Sequence, residues 1–164
     1  AVKLGSVEAQ HELGTRYYLG DGVPESLEKS IELLGVAANS GDELAQFELA
    51  NILYDNDSNP SAIKALGLYE LLVNDKQLGA GSLLKIGRMY CRGKANLDVD
   101  YKTGAKYLER SAALGNSNAM MDLAYMYYKG QYFEKDLEKA ILYAEKAGPG
   151  HLLYEDIMEE LKGD

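Results

Sequence analysis

Several short stretches carry residue types at spacings that chemistry uses. HELGT at positions 11–15 begins like the HExxH helix of zinc proteases, but that site needs a second histidine one turn after the first, and Thr15 stands in its place. DNDSNPSAIKAL at 55–66 begins like a calcium loop, yet Pro60 replaces the obligatory turn glycine and Leu66 replaces the bidentate glutamate. GDGVPES at 20–26 is glycine-rich, but no Lys-Ser or Lys-Thr follows and no strand precedes it, so it reads as a turn and not a phosphate cradle. Cys91 is the one cysteine and has no histidine near it in sequence. It is expected to be an ordinary half-buried thiol, its pKa drawn down somewhat by Arg88 and Arg92. Asn56-Asp57-Ser58 is a formal glycosylation sequon of a kind that arises by chance. No catalytic residue, metal or cofactor is expected, and the chain reads as non-enzymatic.

What positions these residues is a repeat. The segments AQHELGTRYYLG, AQFELANILYDN, SLLKIGRMYCRG and AMMDLAYMYYKG align without gaps from Ala9, Ala45, Ser82 and Ala119, at spacings of 36, 37 and 37 residues. Each has Leu or Ile four residues in (Leu13, Leu49, Ile86, Leu123), then Gly or Ala (Gly14, Ala50, Gly87, Ala124), then large residues around a tyrosine. This is a helical face with a small residue where another helix comes close. A second helix follows in each unit, its apolar stripe begun by Ser30, Ala65, Gly104 and Ala140, with Ser26, Ser61, Asp100 and Asp136, four residues earlier, expected as N-caps. Gly41 and Gly115 fall where a left-handed helix terminus wants glycine. GDGVPES occupies the link between first and second helix, and the other copies lose its second glycine.

Composition narrows the function classes. The chain has 164 residues, enough for one domain, and no apolar run approaches the roughly 20 residues of a membrane span. Its formal net charge of −9 repels phosphate backbones and argues against nucleic acid. A lone cysteine forms no intrachain disulfide, so packing must hold the fold. AVKLG at the start reads as the tail of a preceding second helix, which suggests a fragment of a longer array and weak self-association through Val2, Leu4 and Val7.

The pattern A-x-x-x-L-G-x-x-Y-x-x-G-x-G-V, then K-A or K-S, then A-A-x-x-G, resembles the Sel-one-like repeat, a relative of the tetratricopeptide repeat. Residues 9–41 match it nearly throughout and 119–148 match well; the second copy replaces the loop glycines with YDNDSNP, and the third carries one inserted residue before Gly104. The resemblance implies an all-α, right-handed α/α superhelical solenoid of stacked helix pairs. Its repeats would span approximately 6–41, 42–78, 79–115 and 116–148, with a capping helix at 151–162, in a single domain of residues 1–164. Proteins similar to this are mostly adaptors, in bacterial export and host interaction or in eukaryotic quality control. Many bacterial relatives tie each repeat with a disulfide, which this chain cannot do. A soluble protein of the bacterial periplasm or cytoplasm is expected. The alternative is an inhibitor or immunity protein neutralising a secreted bacterial toxin enzyme such as a lipase.

In such an array the first helices line the concave wall. The positions two before, and two and five after, each repeated Leu or Ile then face the groove: His11, Thr15 and Tyr18; Phe47, Asn51 and Tyr54; Leu84, Arg88 and Cys91; Met121, Tyr125 and Tyr128, with Arg92 at the rim. Tyr, Phe, Met and Arg are types enriched at binding hot spots, so a protein or peptide partner is expected there. Aromatic pairs at helical spacing also serve packing, and about half of these residues are expected in each role.

Overall fold

The computed structural model describes residues 5–56, 58–148, 154–157 and 159. Eight helices are defined among them: α1 (Val7–Leu19), α2 (Leu27–Asn39), α3 (Glu43–Asp55), α4 (Asn59–Leu72), α5 (Gly79–Arg92), α6 (Tyr101–Ala113), α7 (Ser117–Lys129) and α8 (Leu137–Ala147). The all-α class read from the sequence is the class of the structure, and each repeat is a pair of helices packed on one another. The chain divides into two compact units, Ala1–Leu72 with the first two pairs and Val73–Asp164 with the last two. The AVKLG segment, apart from Gly5, and most of residues 151–162, expected as a capping helix, lie outside the described residues; 154–157 are helical.

Short polar side chains set the starts. Ser26, Asp100 and Asp136 accept the backbone N–H of Lys29, Thr103 and Lys139, as their sequence positions imply, and Ser6, Asp42 and Asn116 cap α1, α3 and α7 likewise. Each such bond satisfies one of the N–H groups that a first helical turn leaves without a partner. Hydrogen bonds from Thr103 hold the Asp100 carboxyl below its ordinary range, and the Lys139 N–H does the same for Asp136. Ser61 is a correction. The fourth helix starts earlier, at Asn59, with Pro60 in its first turn, where a missing N–H costs nothing. Ser61 therefore lies inside the helix, its hydroxyl 2.8 Å from that of Ser58.

Two kinds of connection alternate. Six residues without a capping side chain lead from α4 to α5, whereas from α2 to α3 and from α6 to α7 the chain needs only a glycine and a cap, Gly41 (φ 92°) and Gly115 (φ 87°) taking the left-handed conformation. Their N–H groups bond Ala38 and Ala112, while those of Asp42 and Asn116 reach back to Ala37 and Ser111. This paired closure satisfies the carbonyls of one helix on residues that begin the next. From first to second helix, Gly20, Gly93 and Gly130 end α1, α5 and α7 in the left-handed region. The N–H of Ser26, Asp100 and Asp136 then donates to the carbonyl of Tyr17, Tyr90 and Tyr127 at 2.9, 3.0 and 3.1 Å. The glycine lost from this link leaves its backbone shape behind, since Ala95 (φ 63°) and Tyr132 (φ 66°) hold the conformation of Gly22 (φ 71°). For a residue with a Cβ that conformation costs roughly 1–2 kcal/mol, which the bonds on either side impose.

Close helix contact explains the small residues. A Cβ on Gly14 would meet Leu34 Cγ at 2.9 Å, and one on Gly87 would meet Leu108 Cγ at 2.9 Å and the Gly104 carbonyl at 3.1 Å. In the other two pairs alanine suffices, and Ala50 and Ala124 are fully buried. Around these crossings Leu34, Leu49, Tyr69 and Leu72 form the interior of the first unit. In the second, Leu108, Leu123 and Met126 pack α6 on α7, and Ile157 from the 154–157 turn closes a further cluster with Met121, Ala124, Ala140 and Ala144.

Candidate functional site

Within the second unit a cleft of about 600 Å³ opens beside α5 and α7. It brings together five of the residues nominated from sequence: Arg88, Cys91 and Arg92 on α5, Met121 and Tyr125 on α7. Its floor adds Leu108 and Met126, and its rim adds Tyr101, Asn118, Gln131 and Asp156. The cleft is thus apolar below and hydrogen-bonding or charged above, the pattern of a site that buries one side chain and orients its neighbours.

A fixed ion pair stands in one wall. Arg88 Nε lies 2.5 Å from Asp122 Oδ2 and Nη2 lies 3.0 Å from Oδ1, a bidentate arrangement joining α5 to α7. Beside it, burial first and the Asp122 carboxylate second push the Cys91 thiol up to about 11, outweighing the opposite pull of Arg92. This corrects the lowered value expected from the flanking arginines. Desolvation dominates because the sulfur packs against Gly104, where even a Cβ would collide with it. A protonated, half-buried thiol contributes shape and not nucleophilicity.

Other nominated residues are placed differently. Leu84 and Met121 are each 5% exposed and belong to the interior, Met121 reaching the cleft from below. Tyr128 is half-buried under the ammonium groups of Lys129 and Lys135, 4.4 and 5.5 Å from its ring centre. In the first unit Phe47, Asn51 and Tyr54 gather around the buried Tyr69, with ring centres 6.0 and 6.4 Å away for Phe47 and Tyr54. The Tyr69 hydroxyl, kept protonated by burial, donates to Asn51 Oδ1 at 2.8 Å. Tyr54 itself is 5% exposed. Thr15 donates to Glu48 Oε2 at 2.7 Å, and His11 lies between Asp42 and Glu48. Tyr18 is exposed. Thr15–Glu48 and Arg88–Asp122 occupy the same repeat positions, so each is a rung from one first helix to the next.

Sequence reasoning missed Tyr101, Asn118, Gln131 and Asp156. Asn118 was legible: it lies three and seven residues before Met121 and Tyr125, on the same helical face. Tyr101 is a second-helix residue, Gln131 a link residue and Asp156 comes from beyond the last repeat, all outside a pattern confined to first helices. No group of three or more His, Cys, Asp or Glu among the described residues is arranged to hold a metal ion, and no described helix is long and apolar enough to cross a membrane.

Four helix pairs in succession, with Gly or Ala at the crossing within each, define an α-helical repeat protein. The Sel1 repeat model matches residues 7–42, 44–73, 80–116 and 117–148, and the chain belongs to the Sel1 repeat family. Sel1 repeats form a non-catalytic scaffold fold, and proteins that carry them generally mediate protein–protein interaction. Over 66 residues the chain is 39% identical to HRD3 of Candida glabrata, an ERAD-associated E3 ubiquitin-protein ligase component; that match covers 40% of this chain and 7% of the relative. A protective antigen of uropathogenic Escherichia coli with an SLR fold superposes with a TM-score of 0.77 at 22% identity, covering 92% of this chain and 32% of the antigen. A Sel1 repeat protein from Oxalobacter formigenes gives 0.76 at 23% identity, covering 95% and 62%. These two likenesses concern the fold.

Proposed function

We propose that the chain is a non-enzymatic interaction module that takes a peptide segment or protein loop into the α5–α7 cleft. The observation that supports this reading is the cleft itself, where Tyr125 (39% exposed) and Arg92 stand over an apolar floor of Leu108, Met121 and Met126. A volume of about 600 Å³ suits a few side chains and the backbone between them. Asn118 and Gln131 offer amide donors and acceptors to that backbone. An inhibitor of a toxic enzyme is one form such a partner relationship takes, and the cleft does not single it out.

Selection of peptides from a displayed random library on the purified chain tests the proposal. Binders are expected to lose about ten-fold or more in affinity on Tyr125→Ala or Arg92→Ala, the cost of about 1.4 kcal/mol or more typical of hot-spot truncation. Both residues are exposed, so the variants keep the fold. Binders indifferent to both substitutions would place the contact surface elsewhere.

A further inference from the structure

We infer that the anchor the α5–α7 cleft takes from its partner is an uncharged aromatic side chain, an assignment that rests on the cleft being the binding site. Three sulfur-bearing side chains line it, Cys91, Met121 and Met126, and two tyrosines, Tyr101 and Tyr125, stand with them. Two of the chain's five methionines and its one cysteine are thus gathered in one place, where Leu, Ile or Val would serve an aliphatic anchor equally well.

Sulfur and ring recognise a flat, polarisable occupant. A thioether on an unbranched stem adapts its shape to a ring, and sulfur against a ring edge or ring against ring are contacts that only an aromatic side chain can make. Cys91 keeps its proton, since burial pushes the thiol up to about 11, and so turns no negative charge toward a ring face. Both methionines are buried, Met126 beside Leu108 and Leu123, and Met121 beside Ala124 and Ile157. Met121 and Tyr125 are four residues apart on α7, so floor and wall belong to one helical face.

The charges of the lining balance. Arg88 and Arg92 line the cleft with Asp122 and Asp156, two of each sign, although the chain as a whole carries a formal net charge of −9. Arg88 and Asp122 are already joined in their bidentate pair. A lysine or glutamate anchor would lose its water over the apolar floor and find that pair closed to it. A tyrosine or tryptophan anchor has the amides of Asn118 and Gln131 at the rim for its polar atom.

Methyl carbon-13 labelling of methionine in the intact chain tests the assignment, with N-acetylphenylalanine amide and N-acetylleucine amide as the probes. A ring seated on the floor shifts the Met121 and Met126 methyl signals by its ring current, while Met89, fully buried and outside the cleft, serves as the reference. The phenylalanine probe is expected to half-saturate these shifts at an about ten-fold lower concentration than the leucine probe. Equal concentrations, a leucine probe that binds more tightly, or Met121 and Met126 methyls unmoved by the phenylalanine probe would overturn the aromatic anchor. The cleft itself is judged separately, on the peptides of the displayed library. Peptides that need Tyr125 and Arg92 but carry no aromatic residue keep the cleft and reject the anchor, whereas peptides indifferent to both residues reject the cleft and the anchor with it.

Discussion

At the scale of single residues, two hydroxyls among the described residues are buried without partners. Ser30 and Ser82 are fully buried, and no acceptor or donor meets their Oγ atoms. A buried, unpaired hydroxyl costs about 1–3 kcal/mol, and alanine occupies the equivalent of Ser82 in the other three repeats. Ser82→Ala is accordingly expected to raise the stability of the chain by about 1 kcal/mol, read as a higher denaturation midpoint in urea. A lower midpoint would mean that the hydroxyl has a partner after all. The alignment made the need for a small residue legible here, but not the unpaired oxygen, because smallness repeats while hydrogen-bond geometry depends on neighbours far away in sequence. The same division runs through the cleft. Arg88, Arg92 and Tyr125 follow from their helical register, while Tyr54 was claimed by the core because Tyr69, from the second helix, stands beside it.

At the scale of elements, glycine has opposite meanings in two helices. Gly87 sits where α5 crosses α6, and any Cβ would strike Leu108 and the Gly104 carbonyl. Gly67 lies inside α4 with nothing within 4 Å of where its Cβ would be. Gly87→Leu is expected to cost about 3 kcal/mol, whereas Gly67→Ala should stabilise by about 1 kcal/mol through helix propensity alone. Thermal unfolding of the two variants checks both, and a melting temperature for Gly87→Leu at or above that of the parent would contradict the crossing. Helix starts were legible wherever a capping side chain stands alone at the boundary, as at Ser26, Asp100 and Asp136. In the second repeat Pro60 supplies a competing start signal, and the helix begins ahead of Ser61. The left-handed backbone at Ala95 and Tyr132 was hidden, because identity reports what a residue prefers and the flanking hydrogen bonds decide what it adopts.

At the scale of the whole molecule, each of the two compact units must close its own interior. In the second unit Ile157, fully buried, lies against Met121, Ala124, Ala140 and Ala144, while Asp156 beside it lines the cleft. Removing this side chain opens a cavity among small residues that cannot collapse to fill it. Ile157→Ala is expected to destabilise the unit by about 2–5 kcal/mol, measured by chemical denaturation. It should also loosen the cleft, so that any peptide selected on the parent chain binds Ile157→Ala more weakly. An unchanged denaturation midpoint would detach the 154–157 turn from the fold.

The two kinds of connection also govern what the gene can tolerate. At Gly41–Asp42 and Gly115–Asn116 one residue ends a helix and the very next caps its successor, so an added codon would break both at once. Between first and second helix, Gly20 to Ser26 and Gly130 to Asp136 are matched by the longer Gly93 to Asp100, whose additional residue is accommodated with Asn96 in the left-handed conformation. Length variation, grafted epitopes and purification tags therefore have an admissible place in the first, third and fourth repeats, and it is the link that follows the first helix.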